Sequence, residues 1–574
     1  MVISKTVEAK PHSPVYTMHK YFARRPWNVF SELVSHYTSQ GELILDPFCG
    51  GGVTVVESLR LKRKVIGVDV NPIAAYVTRM EAVEIDVETL RITFSQLARV
   101  VKQKILSFYA TSCPKCHATA FADWIEWDEA AKKIIRMKYD CAVCGSSGVK
   151  VPHDADSRLA TDLSDQFDSR VRDEGLWFPQ TKIPPGDKTS SLLSQNINYF
   201  HELYTKRNLL ALGILRKQIE DVKNDRARAF IDFTFSSSLK WASKQCHLRG
   251  EIVEGWAMHA YWLYPKTLEI NVWNTFERRF DAVVRGKRYS NREIGSYCKL
   301  GENIEDLIKG PATCMVLNRS STDLSLIPND SIDAVITDPP YGGNVNYGEL
   351  ADFWYVWLSH GVTLDKAKEV IVNRTQGKAL LDYESMLQDV MTECHRVLKP
   401  NRPLVSTFNS RDSRVVASFV IAASRAGFAL HSDGLLYQPP IRAYNTTFHA
   451  MAVGAFVGDF IFTFMKETQA SPLGSSASQK LDQLKNYITQ LIDESIKGEH
   501  SELHIRERAY KALIPFLSAF SGSDLNLCRE AVDFFENQMK RNDDHFAELR
   551  RKVTEKRIET FRAQKGRRYK ASKA

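Results

Sequence analysis

No stretch of this 574-residue chain approaches the roughly 18 uninterrupted apolar residues of a membrane span. The opening residues 1–10, Met-Val-Ile-Ser-Lys-Thr-Val-Glu-Ala-Lys, lack the apolar core of a secretory leader. Cysteine is sparse, with ten residues in the whole chain, which excludes a disulfide scaffold. The expectation is a cytoplasmic protein, with no membrane partner, whose thiols are reduced or metal-bound. No internal repeat is present, so solenoids are excluded. Compositional bias is also missing: hydrophobic residues make up 44% and charged residues 25%, ordinary globular values that exclude collagen and wholesale disorder. Most of the chain has no excess charge of either sign. The formal net charge is +9, yet residues 550–574 hold eleven Lys/Arg and two Glu, so the remainder balances at 66 of each sign. A basic tail on a neutral body reads equally as a non-specific grip on a polyanion and as a solvated terminus. Length gives a soft prior of about four units of ~150 residues.

What is present is an alternation of strand and helix signals. Pro26 suits the first turn of a helix, and Phe30, Leu33, Val34 and Tyr37 then fall on one helical face. Leu43-Ile44-Leu45 reads as a buried strand that runs into Asp46-Pro47-Phe48-Cys49-Gly50-Gly51-Gly52. Residues 55–61 look helical, and 64–68 form a second strand with Asp69 at its end. Strand, glycine loop, helix, strand is a βαβ unit. The alternation breaks at about residue 96 and resumes near 310. Strands are expected at 313–317, 332–337, 404–408 and 459–464, with helices at 350–358 and 414–426. The fold class predicted is α/β: a doubly wound, Rossmann-like sheet interrupted by an insertion. The expected organisation is 1–95 and 311–470 as two halves of one domain, 96–310 as the insertion, 471–478 as a linker by composition, and 479–574 as a C-terminal helical region with the basic tail.

Two loops carry chemistry. In an open α/β sheet, ligands bind at the carboxyl ends of strands, where Gly50, Gly51 and Gly52 sit. Asp69, about twenty residues on, is placed to accept hydrogen bonds from ribose hydroxyls. Asp46 would set a negative charge beside a pyrophosphate, so it suits a cationic nucleotide such as S-adenosylmethionine better; it could also simply cap the turn. The second loop, Asp338-Pro339-Pro340-Tyr341, again follows an apolar strand. Its two prolines force an extended, stiff backbone. Such a loop can hold a carboxylate and the Pro339 carbonyl so that both accept N–H bonds from an exocyclic base amine, aiming the nitrogen lone pair at a methyl donor. Tyr341 would stack on the flipped base. The bland alternative is a rigid turn with a capping Asp.

Asp-Pro-Phe-x-Gly-x-Gly, then Gly-Val-Asp-x-Asn-Pro, then Asp-Pro-Pro-Tyr resembles the amino-group DNA methyltransferases, which make N6-methyladenine or N4-methylcytosine. The resemblance covers about residues 12–80 and 311–467. His19-Lys20-Tyr21-Phe22-Ala23-Arg24-Arg25-Pro26-Trp27 is similar to the family segment that packs over the cofactor's methionine end. Asp338 through Tyr347, followed by Phe353-Trp354-Tyr355-Val356-Trp357-Leu358, is similar to a bacterial subgroup of DNA modification methylases. The resemblance implies S-adenosylmethionine contacts for Asp46, Pro47, Phe48, Cys49, Gly50, Gly52, Asp69 and Asn71. It implies that Asp338, Pro339, Pro340 and Tyr341 hold the target base. An Asp at the head of the motif favours adenine over cytosine. The acid often found after the family's third strand is unassigned here; a serine within 320–321 or Asp323 could stand in its place.

Cys113-x-x-Cys116 and Cys141-x-x-Cys144 have the spacing of a structural, four-thiolate Zn²⁺ ribbon at about 110–150. The ribbon could read DNA or staple the insertion. His117 is expected to be a bystander. Trp241, Trp256, Trp262 and Trp273, followed by Arg278, Arg279, Arg285, Lys287 and Arg288, fit DNA contacts and fit a helical core with a solvated rim equally well. The reading is an S-adenosylmethionine-dependent methyltransferase acting on adenine N6 in duplex DNA. The rivals are a cytosine-N4 enzyme, an RNA guanine-N2 enzyme and a catalytically dead zinc-ribbon DNA binder. A bacterial, nucleoid-associated setting, a restriction or phage-defence role and a partner subunit of that kind follow only from the family.

Overall fold

The computed structural model describes residues 2–439, 458–466, 477–498, 502–548 and 551. Most of the basic tail and of the expected linker lie outside the described residues. Pro26 caps the helix Trp27–Tyr37, which buries Val29, Phe30, Leu33 and Val34. β1 (Leu43–Asp46), the helix Val53–Arg60 and β2 (Lys64–Asp69) follow in the expected order. Asn71 caps the next helix, Pro72–Ala82, by accepting the Ile73 amide.

The insertion opens on the 21-residue helix Val87–Ser107, so the expected division at 95/96 falls inside an element. Its sheet comprises β3 (Ala110–Ser112), β4 (Thr119–Asp128), β5 (Lys133–Asp140) and β6 (Ser147–Lys150). A short hairpin, β7 (His247–Arg249) and β8 (Ile252–Glu254), precedes β9 (Lys266–Ile270). β3 and β9 pair with successive stretches of β4, and β5 pairs with both stretches. The helix Val272–Glu293 then packs against the helices Asp225–Ala242 and Val87–Ser107 and against the N-terminal turn Pro14–Thr17.

β10 (Cys314–Asn318), β11 (Ala334–Thr337), β12 (Pro403–Phe408), β13 (Phe428–Gln438) and β14 (Asp459–Lys466) complete a seven-stranded sheet of order β10-β2-β1-β11-β12-β14-β13. The pairings from β10 to β12 are parallel, and β14 is antiparallel to both of its neighbours. The fold is therefore mixed α/β. The chain leaves β1 towards β2 and β10, then returns to β11 on the other side of β1. That reversal makes the β1/β11 crevice the topological switch point, where open α/β sheets bind ligands.

Strand side chains alternate between two cores, as period-2 geometry requires. Ile44, Val65, Val316, Ala334, Ile336 and Val405 face one, which the insertion helices cover. Leu43, Leu45, Ile66, Val68, Val335 and Leu404 face the other. The helices Leu380–Val397, Ser413–Arg425, Ala477–Lys497, Glu502–Phe520 and Leu525–Arg541 pack into that second core. The C-terminal helices thus share the sheet's core, and Ala477 and Ser478, expected in a linker, open a helix.

The Trp-rich segment faces mostly inward. Trp256 and Trp273 are buried, while Trp262 is 52% exposed. Arg279 donates to the Thr17 and Met18 carbonyls at 2.6 and 2.7 Å, and Arg278 pairs with Asp123. Buried Lys287 donates to the Met80, Glu81 and Val83 carbonyls, closing the C-terminus of Pro72–Ala82. Among the described residues, only Arg285 and Arg288 of that basic set are exposed and draw no internal hydrogen-bond or ion-pair partner. Among the described residues, no helix is long and apolar enough to cross a membrane.

Candidate active site

The site starts with two strand-end acids. Asp69 accepts the Gly50 amide on Oδ2 at 2.9 Å and the Asn71 amide on Oδ1 at 2.8 Å, tying the end of β2 to the glycine loop. Burial pushes its carboxyl up to about 6, with the two amides pulling the other way. Each oxygen keeps an acceptor position for a further donor. Asp46, at the end of β1, accepts the Phe48 amide at 3.1 Å and the Thr337 hydroxyl at 2.7 Å. It is nearly inaccessible, and burial pushes its carboxyl up to about 7. Asp46 therefore caps its own turn while also lining the cleft.

The glycines serve different ends. Gly52 has φ +77° and a Cβ there would lie 2.8 Å from Thr78 Oγ1, so its requirement comes from the helix packed beneath it. A Cβ on Gly51 would meet Arg24 Nε at 2.6 Å. Arg24 is fixed there by Glu81 at 2.8 Å and by the Tyr16 carbonyl at 2.5 Å.

The β11 loop brings Asp338 to the same cleft. Its Oδ1 accepts Thr407 Oγ1 at 2.6 Å and the Tyr341 hydroxyl; its Oδ2 accepts Arg25 Nε at 2.7 Å. Tyr383 Oη donates to the Pro340 carbonyl at 2.6 Å and pins the loop. Pro339 is buried. Tyr341 is not presented as a bare platform: the Arg25 guanidinium lies 4.8 Å from its ring centroid and Phe408 packs at 4.7 Å.

A cleft open to solvent is lined by Asp46, Pro47, Phe48, Cys49, Gly50, Asp69, Asn71, Asp338 and Pro340. Gly52, Pro339 and Tyr341 are outside that lining. Ser320 and Ser321 line it, with Ser321 donating to the Pro47 carbonyl at 2.6 Å, whereas Asp323 turns outward to Arg319. Sequence reasoning missed Tyr347 and Glu369, which also line it. Glu369 Oε1 accepts the Gly348 amide at 2.6 Å, while buried Oε2 has no partner among the described residues. Burial pushes that carboxyl up to about 7. Nothing in its local sequence marks it, because the acid reaches the cleft only through the fold.

The cleft is lined by four carboxyls and three cations, Arg24, Arg25 and Lys368. Arg24 is paired with Glu81 and Arg25 with Asp338 and Asp459, so Asp46, Asp69 and Glu369 leave the cleft better suited to a cationic ligand than to a pyrophosphate. A nucleoside with a ribose diol, a sulfonium and an amino group fits these residues: Asp69 for the diol, Asp46 and Glu369 near positive charge. No group of that kind is needed to explain the loop's fold, since Asp69 and Asp46 already hold it.

The four cysteines come together at one end of the insertion sheet. Their sulfurs all lie within 4.8 Å of one another. The Cys113–Cys144 and Cys116–Cys141 separations are 3.7 and 3.6 Å. A tetrahedron with ~2.3 Å Zn–S arms has edges of about 3.8 Å, so the set matches such an ion. Each knuckle closes on a left-handed residue, exposed His117 at φ +59° and Gly145 at φ +68°. Their amides donate to the Cys113 and Cys141 carbonyls, both at 3.0 Å. His117 thus serves the turn and is not among the clustered ligand atoms.

The family model described as DNA methylase, of the N6/N4 type, matches residues 3–79. No curated protein matches the chain. Matching solved structures include a provisionally assigned DNA modification methylase from Thermus thermophilus, at 16% identity over 28% of this chain and 54% of that one, with a TM-score of 0.16. The chain therefore spans about half the length of that protein. Residues 3–79, which hold Asp46, the glycine loop and Asp69, are thus similar to the amino-group (N6/N4) DNA methylases.

Proposed function

We propose that the protein is an S-adenosylmethionine-dependent DNA methyltransferase that methylates the N6 amine of a flipped adenine. One observation carries the reading: Asp69 and Asp338, from strands on opposite sides of the switch point, open onto a single cleft. When bound, the cofactor supplies an electrophilic methyl group. Asp69 holds its ribose, and Glu369 Oε2 accepts from its amino group. Asp338 and the Pro339 carbonyl accept the amine's N–H bonds, localising a lone pair that ring conjugation otherwise delocalises. Extruding the base from the duplex is required because the amine is paired inside it. The preference for adenine rests on Asp at the head of the loop, and a restriction or defence setting rests on the family resemblance alone.

The test is tritium transfer from labelled S-adenosylmethionine to duplex DNA, followed by nucleoside analysis. Label in N6-methyldeoxyadenosine is expected. Label in N4-methyldeoxycytidine would overturn the choice of base, and label confined to RNA would overturn the choice of nucleic acid.

Cofactor binding gives two further expectations. Asp69→Ala should weaken S-adenosylmethionine binding by about 1–3 kcal/mol per lost ribose bond, in titration calorimetry. An unchanged affinity would remove Asp69 from the site. The second is pH dependence. Asp69 and Asp46 are held in the folded protein at about 6 and about 7, above their unfolded values. The folded state therefore binds more protons than the unfolded one between about pH 4 and 7, and these acids destabilise it increasingly as pH rises through that window. A cationic ligand favours their ionised forms. S-adenosylmethionine should accordingly bind more tightly at pH 8 than at pH 5.5, while 5′-methylthioadenosine, which keeps the diol facing Asp69 but lacks both positive charges, should show a smaller change. Parallel pH profiles for the two would refute this assignment.

A further inference from the structure

Arg25 lies outside both motif loops, yet it reaches the carboxylate that the methyl-transfer reading depends on. Its Nε donates to Asp338 Oδ2 at 2.7 Å, and its Nη1 donates to both oxygens of Asp459 at 3.0 and 3.2 Å. Its guanidinium stands 4.8 Å from the Tyr341 ring centroid. The three charged side chains are 16–22% exposed, so water screens them little. Pro26 follows immediately and caps the helix Trp27–Tyr37, which anchors the arginine's backbone.

Counting acceptor positions gives the arrangement a meaning. An ionised carboxylate offers about four lone-pair positions. Thr407 and Tyr341 use two on Asp338 Oδ1, and Arg25 uses one on Oδ2. One position, on Oδ2, is left among these described partners. An exocyclic amine needs one acceptor there and a second at the neighbouring carbonyl. Arg25 therefore does not have to leave for the base to enter.

We propose that Arg25 is a positioning residue of methyl transfer, which locks Asp338 in the one orientation that leaves a single acceptor for the target amine, and which supplies the positive charge that Asp338 and Asp459 share. This rests on the methyltransferase reading above. The titratable and charged groups facing Asp338 are Arg25 from the N-terminal segment, Tyr341 from its own loop, Asp459 from β14, Asp46 from β1 and Tyr347 from the helix Tyr347–Leu358. Arg25 is the single cation of these five, and Asp46 and Asp459 repel the carboxylate when they are ionised. Without Arg25 the carboxylates compete for a proton, and a proton on Asp338 fills the acceptor position that the amine needs.

The test is the pH–rate profile of Arg25→Met, Arg25→Lys and Arg25→Met/Asp459→Asn, in the full chain with saturating S-adenosylmethionine. Arg25→Met should lower kcat about a hundredfold at pH 7, the scale of a misaligned catalytic group. Its acid limb should move up by about 1–3 pH units, the usual effect of an adjacent opposite charge. Cofactor affinity should fall far less than kcat, because the hydrogen bonds of Arg25 go to Asp338 and Asp459 and not to Asp69; retained binding also reports that the variant is folded. Arg25→Lys should restore the acid limb but not the full rate, since it keeps the charge and loses the fork. Adding Asp459→Asn should return the limb of Arg25→Met towards wild type. A residue that serves structure alone would lower the amount of folded protein and leave the limb in place, which would overturn the proposal. Wild-type or higher activity in Arg25→Met would overturn it too, by making Arg25 a plug. Both of those results require an active wild-type enzyme. A wild type with no transfer to any DNA would instead overturn the underlying reading, and this proposal with it.

Discussion

Asp338→Ala is expected to abolish methyl transfer to DNA while S-adenosylmethionine affinity stays within about twofold of wild type. The carboxylate follows β11 at one part of the cleft, the part assigned to the base in the proposed reading, whereas Asp69 at the end of β2 is the residue proposed for the ribose. Removing it takes away the acceptor that localises the amine's lone pair. It also strands three donors, Arg25 Nε, Thr407 Oγ1 and the Tyr341 hydroxyl. An electrostatic contact made in the transition state is worth about 10²–10³ in kcat, and the misalignment of the stranded neighbours adds to that. Asp338→Asn separates the two effects. The amide keeps one oxygen for Thr407 and Tyr341 but turns N–H bonds towards Arg25 and towards the amine, so transfer should still fall severely while the fold is kept. The readout is tritium transfer with nucleoside analysis, paired with calorimetry for the cofactor. Full activity in Asp338→Ala would overturn the site. Tyr341→Phe should be mild. It removes one of the donors to Asp338 but leaves the ring against Arg25 and Phe408.

That expectation for Tyr341 shows where sequence reading stops. The tyrosine was legible as an aromatic beside the acid, and stacking on a base was the natural inference. Its hydroxyl bond to Asp338 and the guanidinium over its ring depend on Arg25, more than three hundred residues away in the chain. β1, β2 and β11 are legible because each is a short apolar run ending at an Asp, with a Gly or Pro loop or a Pro-led helix beyond it, and β10, β12 and β14 because each is a short apolar run. β13 is not, since among the described residues it pairs only with β14, is partly exposed and shifts register between Leu430 and Leu435, which breaks period-2 alternation. The helix Leu380–Val397 buries Tyr383, Leu387, Val390, Met391, Cys394 and Val397 at helical spacing, so the sequence carries its signal too. Arg278, Arg279 and Lys287 read on paper as a basic face. Their carbonyl and carboxylate partners lie on distant segments, and only the fold shows that they tie the insertion to the N-terminal residues and to the helix Pro72–Ala82.

Loss of the thiolates is expected to be the most destructive change in the insertion. About one zinc per chain should appear in elemental analysis, and Cys113→Ser/Cys116→Ser should lose it. Structural zinc in small domains binds with about 10–16 kcal/mol, far more than the local apolar contacts can replace. The cluster around the sulfurs holds only Cys113, Ala120, Tyr139 and Cys141 as buried members. β3 has three residues and β6 four, and the knuckles between strands are turns stabilised by two amide bonds. Without an ion, four sulfurs 3.6–3.7 Å apart across the knuckles have no bond to hold them and repel as thiolates. The damage should stay local. β4 continues past the ribbon to pair with β9, and Asn271 at the end of β9 donates to the Ala122 carbonyl at 2.8 Å. Limited proteolysis of the metal-free protein should therefore cut within residues 112–118 and 141–147 and spare the seven-stranded sheet, with S-adenosylmethionine affinity unchanged. If those cuts accompany a loss of DNA binding, the ribbon contributes to DNA recognition; if DNA binding survives them, it is a staple. A zinc-free protein that resists cleavage at both knuckles would show that the cysteines need no metal.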